Sequence, residues 1–166
     1  MYSVLRGCPC GYYTDPKKAC HCHTTKIQNY LGKISGPLLD RIDIHIELPA
    51  IKYKELTDKK DAESSAVIKA RVEKVRAIQR ERFSSEGISY NASMNTKLIK
   101  KYCILDNQAK DLLKMAMTEL GLSARAYDKI LKVSRSIADL AGSETILPEY
   151  ISEAIEYRSL DRDFFV

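Results

Sequence analysis

The stretch Ser123-Ala124-Arg125-Ala126-Tyr127-Asp128-Lys129-Ile130-Leu131-Lys132-Val133-Ser134-Arg135-Ser136-Ile137-Ala138-Asp139-Leu140-Ala141-Gly142 decides the fold. Tyr127, Ile130, Leu131, Ser134, Ile137 and Ala138 recur at three- and four-residue intervals, which gives a helix over 124–141 one apolar-to-small face. Ser123 has the short oxygen side chain that caps a helix start, and Gly142 the backbone freedom that ends one. Such a helix must bury its stripe on something, and the flanking sequence supplies partners. Asp106 caps a helix over 107–120, with Leu112, Leu113, Ala116 and Leu120 on one face and Gly121 as its stop. Pro148 suits the first position of a helix to about Arg158, with Ile151, Ala154 and Ile155 inward. Ser64 and Ser65 precede a long helix to about Phe83, with Ile68, Val72, Val75 and Phe83 facing in. The polar segment 84–96 reads as a loop, and a short helix is expected over 96–103. Short connections between these helices predict an antiparallel bundle over 64–166.

The first fifty residues read differently. Ile42, Ile44, Ile46 and Leu48 alternate with Asp43, His45 and Glu47, the pattern of a strand over 42–48 that Pro49 ends and whose solvent face carries His45. Tyr2-Ser3-Val4-Leu5 resembles the tail of another strand. Thr24 is placed to cap a helix over 25–34, with Ile27, Tyr30, Leu31 and Ile34 on its apolar face and Gly36-Pro37 as its break. One clear strand does not make a stable sheet, so its partners are expected outside this sequence. The expectation is a mainly α protein. A truncated α/β remnant over 1–50, with one strand and a Cys-rich loop, leads through a linker at 51–63 to the helical unit at 64–166.

Composition limits the function classes. The chain has 166 residues, 45% hydrophobic and 30% charged, an ordinary globular balance. Lys and Arg number 27 against 22 Asp and Glu, a net charge of +5 that permits a nucleic-acid or nucleotide partner without requiring one. No apolar run approaches the roughly 20 residues of a membrane span, and Met1–Gly7 has no signal-peptide apolar region. A cytoplasmic protein with reduced thiols is expected. Cys103, alone in a helical stretch, reads as a small core hydrophobe.

Three features carry chemistry. Cys8-Pro9-Cys10 and Cys20-His21-Cys22 are two C-x-C pairs separated by nine residues. Four thiolates can close a tetrahedral structural zinc site, with His21 and His23 as alternative ligands and a metal-free reduced loop as the other reading. Arg41 follows the tight Ser35-Gly36-Pro37 turn and precedes the strand, a rigid edge suited to a phosphate, although Asp40 or Asp43 could simply neutralise it. Arg125 lies in the first turn of its helix, against the dipole's preference, which an anion bound there would reconcile. Lys69, Arg71, Lys74, Arg76, Arg80 and Arg82 make the long helix basic and a weaker candidate for nucleic-acid contact. No G-x-x-x-x-G-K-[ST] and no apolar strand ending in Asp-Glu is present, so the chain by itself lacks the means to hold ATP and its Mg²⁺ in the P-loop manner.

Cys8-Pro9-Cys10-Gly11-Tyr12-Tyr13, Ser35 through Asp43, Glu63-Ser64-Ser65-Ala66, Ser123 through Tyr127, Ile137 through Ser143 and Tyr157 through Arg162 together resemble the magnesium-chelatase-like AAA+ ATPases of the ComM type. The resemblance covers nearly the whole chain. It implies that residues 64–162 form the C-terminal helical lid of an AAA+ module. By position, Arg41 resembles the arginine finger acting in trans on a neighbouring subunit's nucleotide, and Arg125 the sensor-2 residue contacting ATP phosphate. The Cys loop matches an insertion of zinc-binding character. The family implies ATP-driven hexameric rings, other AAA+ subunits as partners, and DNA branch migration, as a helicase-like motor, during natural transformation. The chain departs from the family in having Arg6-Gly7 where Asn-Pro, including the sensor-1 Asn, is expected. The Walker-bearing half is also absent, so the chain reads as a fragment without ATPase activity of its own. The alternative is an independent zinc-containing module that binds nucleic acid or regulates a complete ring. No residue here supports a chelatase active site.

Overall fold

The computed structural model describes residues 7–13, 15, 17–33, 35–46, 48 and 62–158. Its elements are helices α1 (Thr24–Leu31), α2 (Gly36–Leu39), α3 (Ser65–Arg82), α4 (Thr96–Tyr102), α5 (Asn107–Glu119), α6 (Ala124–Ala141) and α7 (Pro148–Glu156), with a 3₁₀ turn at Asn91–Ser93. The protein is mainly helical, as its patterning predicts.

Capping residues set the boundaries. The side chains of Ser64, Asn95, Asp106 and Ser123 accept hydrogen bonds from the amides of Val67, Leu98, Ala109 and Ala126, satisfying donors the first helical turns leave open. At the far end of α6, Gly142 takes φ +72°, and the Gly142 and Ser143 amides donate to the carbonyls of Asp139 and Ala138. That pair of bonds needs a left-handed residue, which glycine supplies without a Cβ penalty.

Helix α6 is the axis of the bundle, packed against α3, the 3₁₀ turn, α4 and α7, while α5 packs on α7. Ile130, Leu131 and Ala138 of α6 meet Phe83, Leu98, Ile99, Cys103, Leu113 and Ile151 in one buried cluster. Among the described residues, one parallel bridge, Leu105 to Ile146, ties the α4–α5 and α6–α7 connections together. A polar network crosses this core. Asp139 of α6 accepts from Arg82 and Gln79 of α3, from Asn91 of the 3₁₀ turn and from Arg135 one turn back. Arg135 reaches on to the carbonyls of Ser143 and Glu144. Buried charges persist in this way only when paired and hydrogen-bonded.

Several local expectations are corrected. The described part of 42–48 forms no strand. Its burial is also inverted: His45 is 5% exposed, while Ile44, Ile46 and Leu48 are 45%, 66% and 86% exposed. The His45 amide donates to the Tyr157 carbonyl at 2.7 Å, so the segment is held to the turn after α7 by its backbone and turns its apolar row outward. Gly36-Pro37 opens α2 rather than merely breaking α1, which ends at Leu31. Helix α1 is entered through His23, not Thr24. On α3, Val75 and Phe83 are buried as expected, whereas Ile68 and Val72 are exposed, because the first half of the helix projects beyond α6. Tyr127, read as part of the α6 stripe, is exposed, and α7 stops at Glu156 with Arg158 in the following turn. The expected Tyr2–Leu5 strand, Ile34 and all but the last two residues of the 51–63 linker lie outside the described residues.

Candidate functional site

Arg41 and Arg125 come from segments that touch. Leu39 is buried and anchors α2, and the Arg41 amide turns back to the Leu38 carbonyl at 3.0 Å. Five polar residue pairs then fix this segment to the bundle. The Ser123 hydroxyl donates to both Asp40 carboxylate oxygens at 3.1 and 3.2 Å while still capping α6. Lys129 donates to the Arg41 carbonyl at 2.9 Å and pairs with Asp43. The buried Arg158 donates from Nη1 to the Ile42 carbonyl at 2.9 Å, and its Nη2 lies 3.8 Å from Asp40 Oδ1.

The two acids that flank Arg41 are thereby engaged elsewhere, Asp40 with Ser123 and Arg158, and Asp43 with Lys129. Arg41 is exposed and has no ion-pair partner among the described residues. Arg125, two residues into the helix that Ser123 caps, is likewise exposed and without one. Among the described residues, the protein therefore presents two guanidiniums without an ion-pair partner, from two segments that are latched together. Planar five-donor groups of this kind match phosphate oxygens. The sequence pattern does not single out Lys129 or Arg158 as site residues, and Asp40 reads there only as a residue that could neutralise Arg41. Nothing local connects Arg158 with a carbonyl 116 residues earlier.

The loop between Gly7 and His23 gathers Cys8, Cys10, Cys20 and Cys22, whose sulfurs all lie within 4.8 Å of one another. Cys8 Sγ is 3.2 Å from Cys10 Sγ and 3.7 Å from Cys20 Sγ, and Cys10 Sγ is 3.6 Å from Cys20 Sγ. Zinc–thiolate bonds of about 2.3 Å imply tetrahedral edges of about 3.8 Å, so this cluster is close to the size a metal ion needs. Gly11 at φ +83° makes the reversal between the two halves possible, and its amide donates to the Cys8 carbonyl at 3.0 Å. Burial opposes ionisation of Cys8. Hydrogen bonds from the Cys10 and Cys20 thiols and the Gly11 and Tyr13 amides outweigh it and bring the group down to about 6. The Cys22 amide favours a Cys20 thiolate. Burial and competition from the other three sulfurs prevail, pushing Cys20 up to about 12 and Cys22 upward as well. Cys8 thus ionises readily while Cys20 and Cys22 resist. Four sulfur donors can hold a metal ion. Among the described residues, His21 and His23 are not part of this group.

The basic helix is more neutralised than its sequence suggests. Arg71 makes two 3.0 Å bonds to Glu63, Lys69 pairs with Glu73 at 3.7 Å, and Arg76 lies over the Tyr90 ring at 5.0 Å. Arg82, proposed for nucleic-acid contact, is instead committed to the buried Asp139. Lys74 and Arg80 have no ion-pair partner among the described residues. No helix among those residues is long and apolar enough to cross a membrane.

Comparison with known proteins adds the following. The family model described as magnesium chelatase, subunit ChlI matches residues 2–56, and that for magnesium chelatase, subunit ChlI C-terminal matches residues 62–158. The chain is 39% identical over 165 residues to the competence protein ComM of Haemophilus influenzae, which is 98% of this chain and 31% of that protein. It is 33% identical over 163 residues to the uncharacterized protein YifB of Salmonella typhimurium, again 98% of this chain and 31% of the relative. Over 166 residues it is 33% identical to the uncharacterized protein YifB of Escherichia coli, with the same coverage. The chain thus spans about a third of the length of these relatives.

Proposed function

Since this chain belongs to the magnesium chelatase subunit ChlI family, we propose that it supplies the lid-and-finger part of an AAA+ ATPase subunit working in a cytoplasmic ring. Arg41 acts as the arginine finger on a neighbour's nucleotide, and Arg125 as the sensor-2 contact to phosphate. The nucleotide, with its Mg²⁺, is held by the part that carries the Walker motifs. The observation that carries this reading is the sequestration of Asp40 and Asp43, which leaves both guanidiniums on a latched edge without acidic partners among the described residues. Such residues stabilise charge developing on a transferring phosphoryl group and are neither nucleophile nor base. The cargo we propose is DNA, with ring-driven branch migration as the work done.

The four-cysteine loop holds one structural zinc. Four protein sulfurs leave no open position for a reacting water, so the ion braces the loop rather than performing chemistry. Its binding draws protons off Cys20 and Cys22, whose ionisation the cluster otherwise resists.

The test joins this chain to the nucleotide-binding part of the Haemophilus influenzae relative and measures phosphate release. The chain alone is expected to release none. In the joined protein, Arg41→Ala and Arg125→Ala are each expected to lower kcat about 100-fold or more. Arg41→Lys is not expected to restore it, because an ammonium lacks the planar fork. Turnover unchanged by either alanine overturns the assignment.

A further inference from the structure

Tyr12 and Tyr13 are consecutive, are 38% and 45% exposed, and join no buried cluster. Two adjacent aromatic side chains kept out of the core are costly to leave in water. The loop nevertheless holds them firmly. The Tyr13 ring lies over Gly7, where an added Cβ would come within 3.2 Å of its Cδ1. The Asp15 amide donates to the Tyr12 carbonyl at 3.1 Å. Lys18 lies over one face of the other ring, its Nζ 4.9 Å from the Tyr12 centroid and donating to the hydroxyl at 3.5 Å, which leaves the opposite face for stacking.

The charges around this pair are mostly positive. Lys17, Lys18 and Lys26 are exposed, and Asp15 is the only carboxylate between residues 7 and 33. Asp15 is occupied, because its Oδ1 accepts from the amides of Lys17 at 2.7 Å and Lys18 at 3.2 Å. That turn sets the two lysines directly after the tyrosines. On α3, Lys69, Arg71 and Arg82 are paired with carboxylates.

We propose that the outer face of the Cys loop binds single-stranded nucleic acid, with Tyr12 and Tyr13 stacking on bases and Lys17 and Lys18 meeting the adjoining phosphates. A ligand that uses both groups must offer flat apolar faces and anionic oxygens at short spacing, which unpaired nucleotides do. A duplex hides its base faces, and an acidic peptide has none. A metal held by four thiolates makes the loop core negative, so stacking, not charge, carries most of the affinity. With about two phosphates neutralised, log K is expected to fall with log salt at a slope near −1.4, far shallower than a basic-helix site of many contacts.

The inference rests on the Cys-loop fold described above but not on the roles of Arg41 and Arg125, so the phosphate-release assay and this one fail independently. The probe is a labelled oligothymidylate titrated with the full chain and followed by fluorescence anisotropy. Tyr12→Ala and Tyr13→Ala are each expected to weaken binding by about 5- to 100-fold. Tyr12→Phe and Tyr13→Phe are expected to bind as well as the parent, since a phenyl ring also stacks. Metal content measured on every variant shows whether the loop is intact and separately decides the zinc assignment. Lys74→Gln with Arg80→Gln on α3 is expected to leave binding unchanged. Several results each overturn the proposal. These are no binding at low salt, alanine variants with intact loops that bind like the parent, and a duplex or a polyglutamate that competes as well as the free oligothymidylate.

Discussion

Replacing Asp139 by Asn probes the polar network at the centre of the bundle with almost no change of shape. The carboxylate receives five hydrogen bonds. Oδ2 accepts from Arg82 at 2.7 Å, Asn91 at 2.8 Å and Gln79 at 3.3 Å, while Oδ1 accepts from a second Arg82 nitrogen and from Arg135 at 3.1 Å. An amide oxygen can keep the first three. Its NH₂ must then face two guanidinium donors, Arg82 Nη2 and Arg135 Nε, with nothing to accept from either. Two lost bonds to charged groups, at about 1.5–3 kcal/mol each, predict a cost of roughly 3–6 kcal/mol. The range of about 3–5 kcal/mol for breaking a buried pair by removing one partner agrees. Urea unfolding followed by circular dichroism measures it, and a double-mutant cycle with Arg82→Met isolates the pair, with a coupling of about 2–3 kcal/mol expected. The network also sets an acid limit. Burial disfavours an Asp139 carboxylate, but donors from Arg82 and Asn91 and the charge of Arg135 hold it below the usual range. A depressed folded value means the stabilisation is fully present above the unfolded value of about 3.9 and is lost as the pH falls below it. The Asn variant should lack that part of the acid limb. A cost under about 1 kcal/mol, or a coupling under about 0.5 kcal/mol, refutes the reasoning.

Three further outcomes are expected. Protein purified without chelator should carry about one zinc per chain, and Cys20→Ser should lose it, with metal content by emission spectroscopy as the readout. With the metal removed, Cys8, held down to about 6, should be alkylated first at neutral pH. Cys103, pushed up to about 12 by burial, should react only on unfolding, which mass mapping of the labelled peptides checks. Arg158→Ala should release the 36–46 segment to limited proteolysis while α3–α7 stay resistant. Arg41→Ala and Arg125→Ala should change stability by no more than about 0.5 kcal/mol, since both side chains are exposed and neither has an ion-pair partner among the described residues.

The helical half was legible because its signals are local. Ser64, Asp106, Ser123, Gly142 and Pro148 each sit within a turn of the boundary they set, and the α6 stripe needs only a 3.6-residue period. The 42–48 segment misled because alternation shows that a stretch has two faces, not which face is buried. Its orientation is decided by Tyr157 and Arg158, more than a hundred residues later. The α3 pattern misled in a related way. Ile68 and Val72 keep helical spacing with Val75, but α6 ends before it can cover them. At the candidate site, the arginines and cysteines stood out by residue type and spacing. Whether Arg41 was neutralised by its neighbours was undecidable from adjacency, because the competitors for Asp40 and Asp43 are Ser123, Arg158 and Lys129.

The outward row of Ile44, Ile46 and Leu48 has a consequence for how the protein behaves in bulk. Branched apolar residues at alternate positions fit the cross-strand pairing through which separate copies stack into fibrils. Asp43 and Glu47 punctuate that row in the sequence. In any in-register stack, each would lie against its own counterpart, and at neutral pH the repeated like charges oppose growth. The Lys129–Asp43 pair also holds the segment against the bundle. Two acids in one short stretch therefore act as gatekeepers against colloidal assembly, and removing both, as in Asp43→Asn with Glu47→Gln, is the change after which this protein should first turn cloudy.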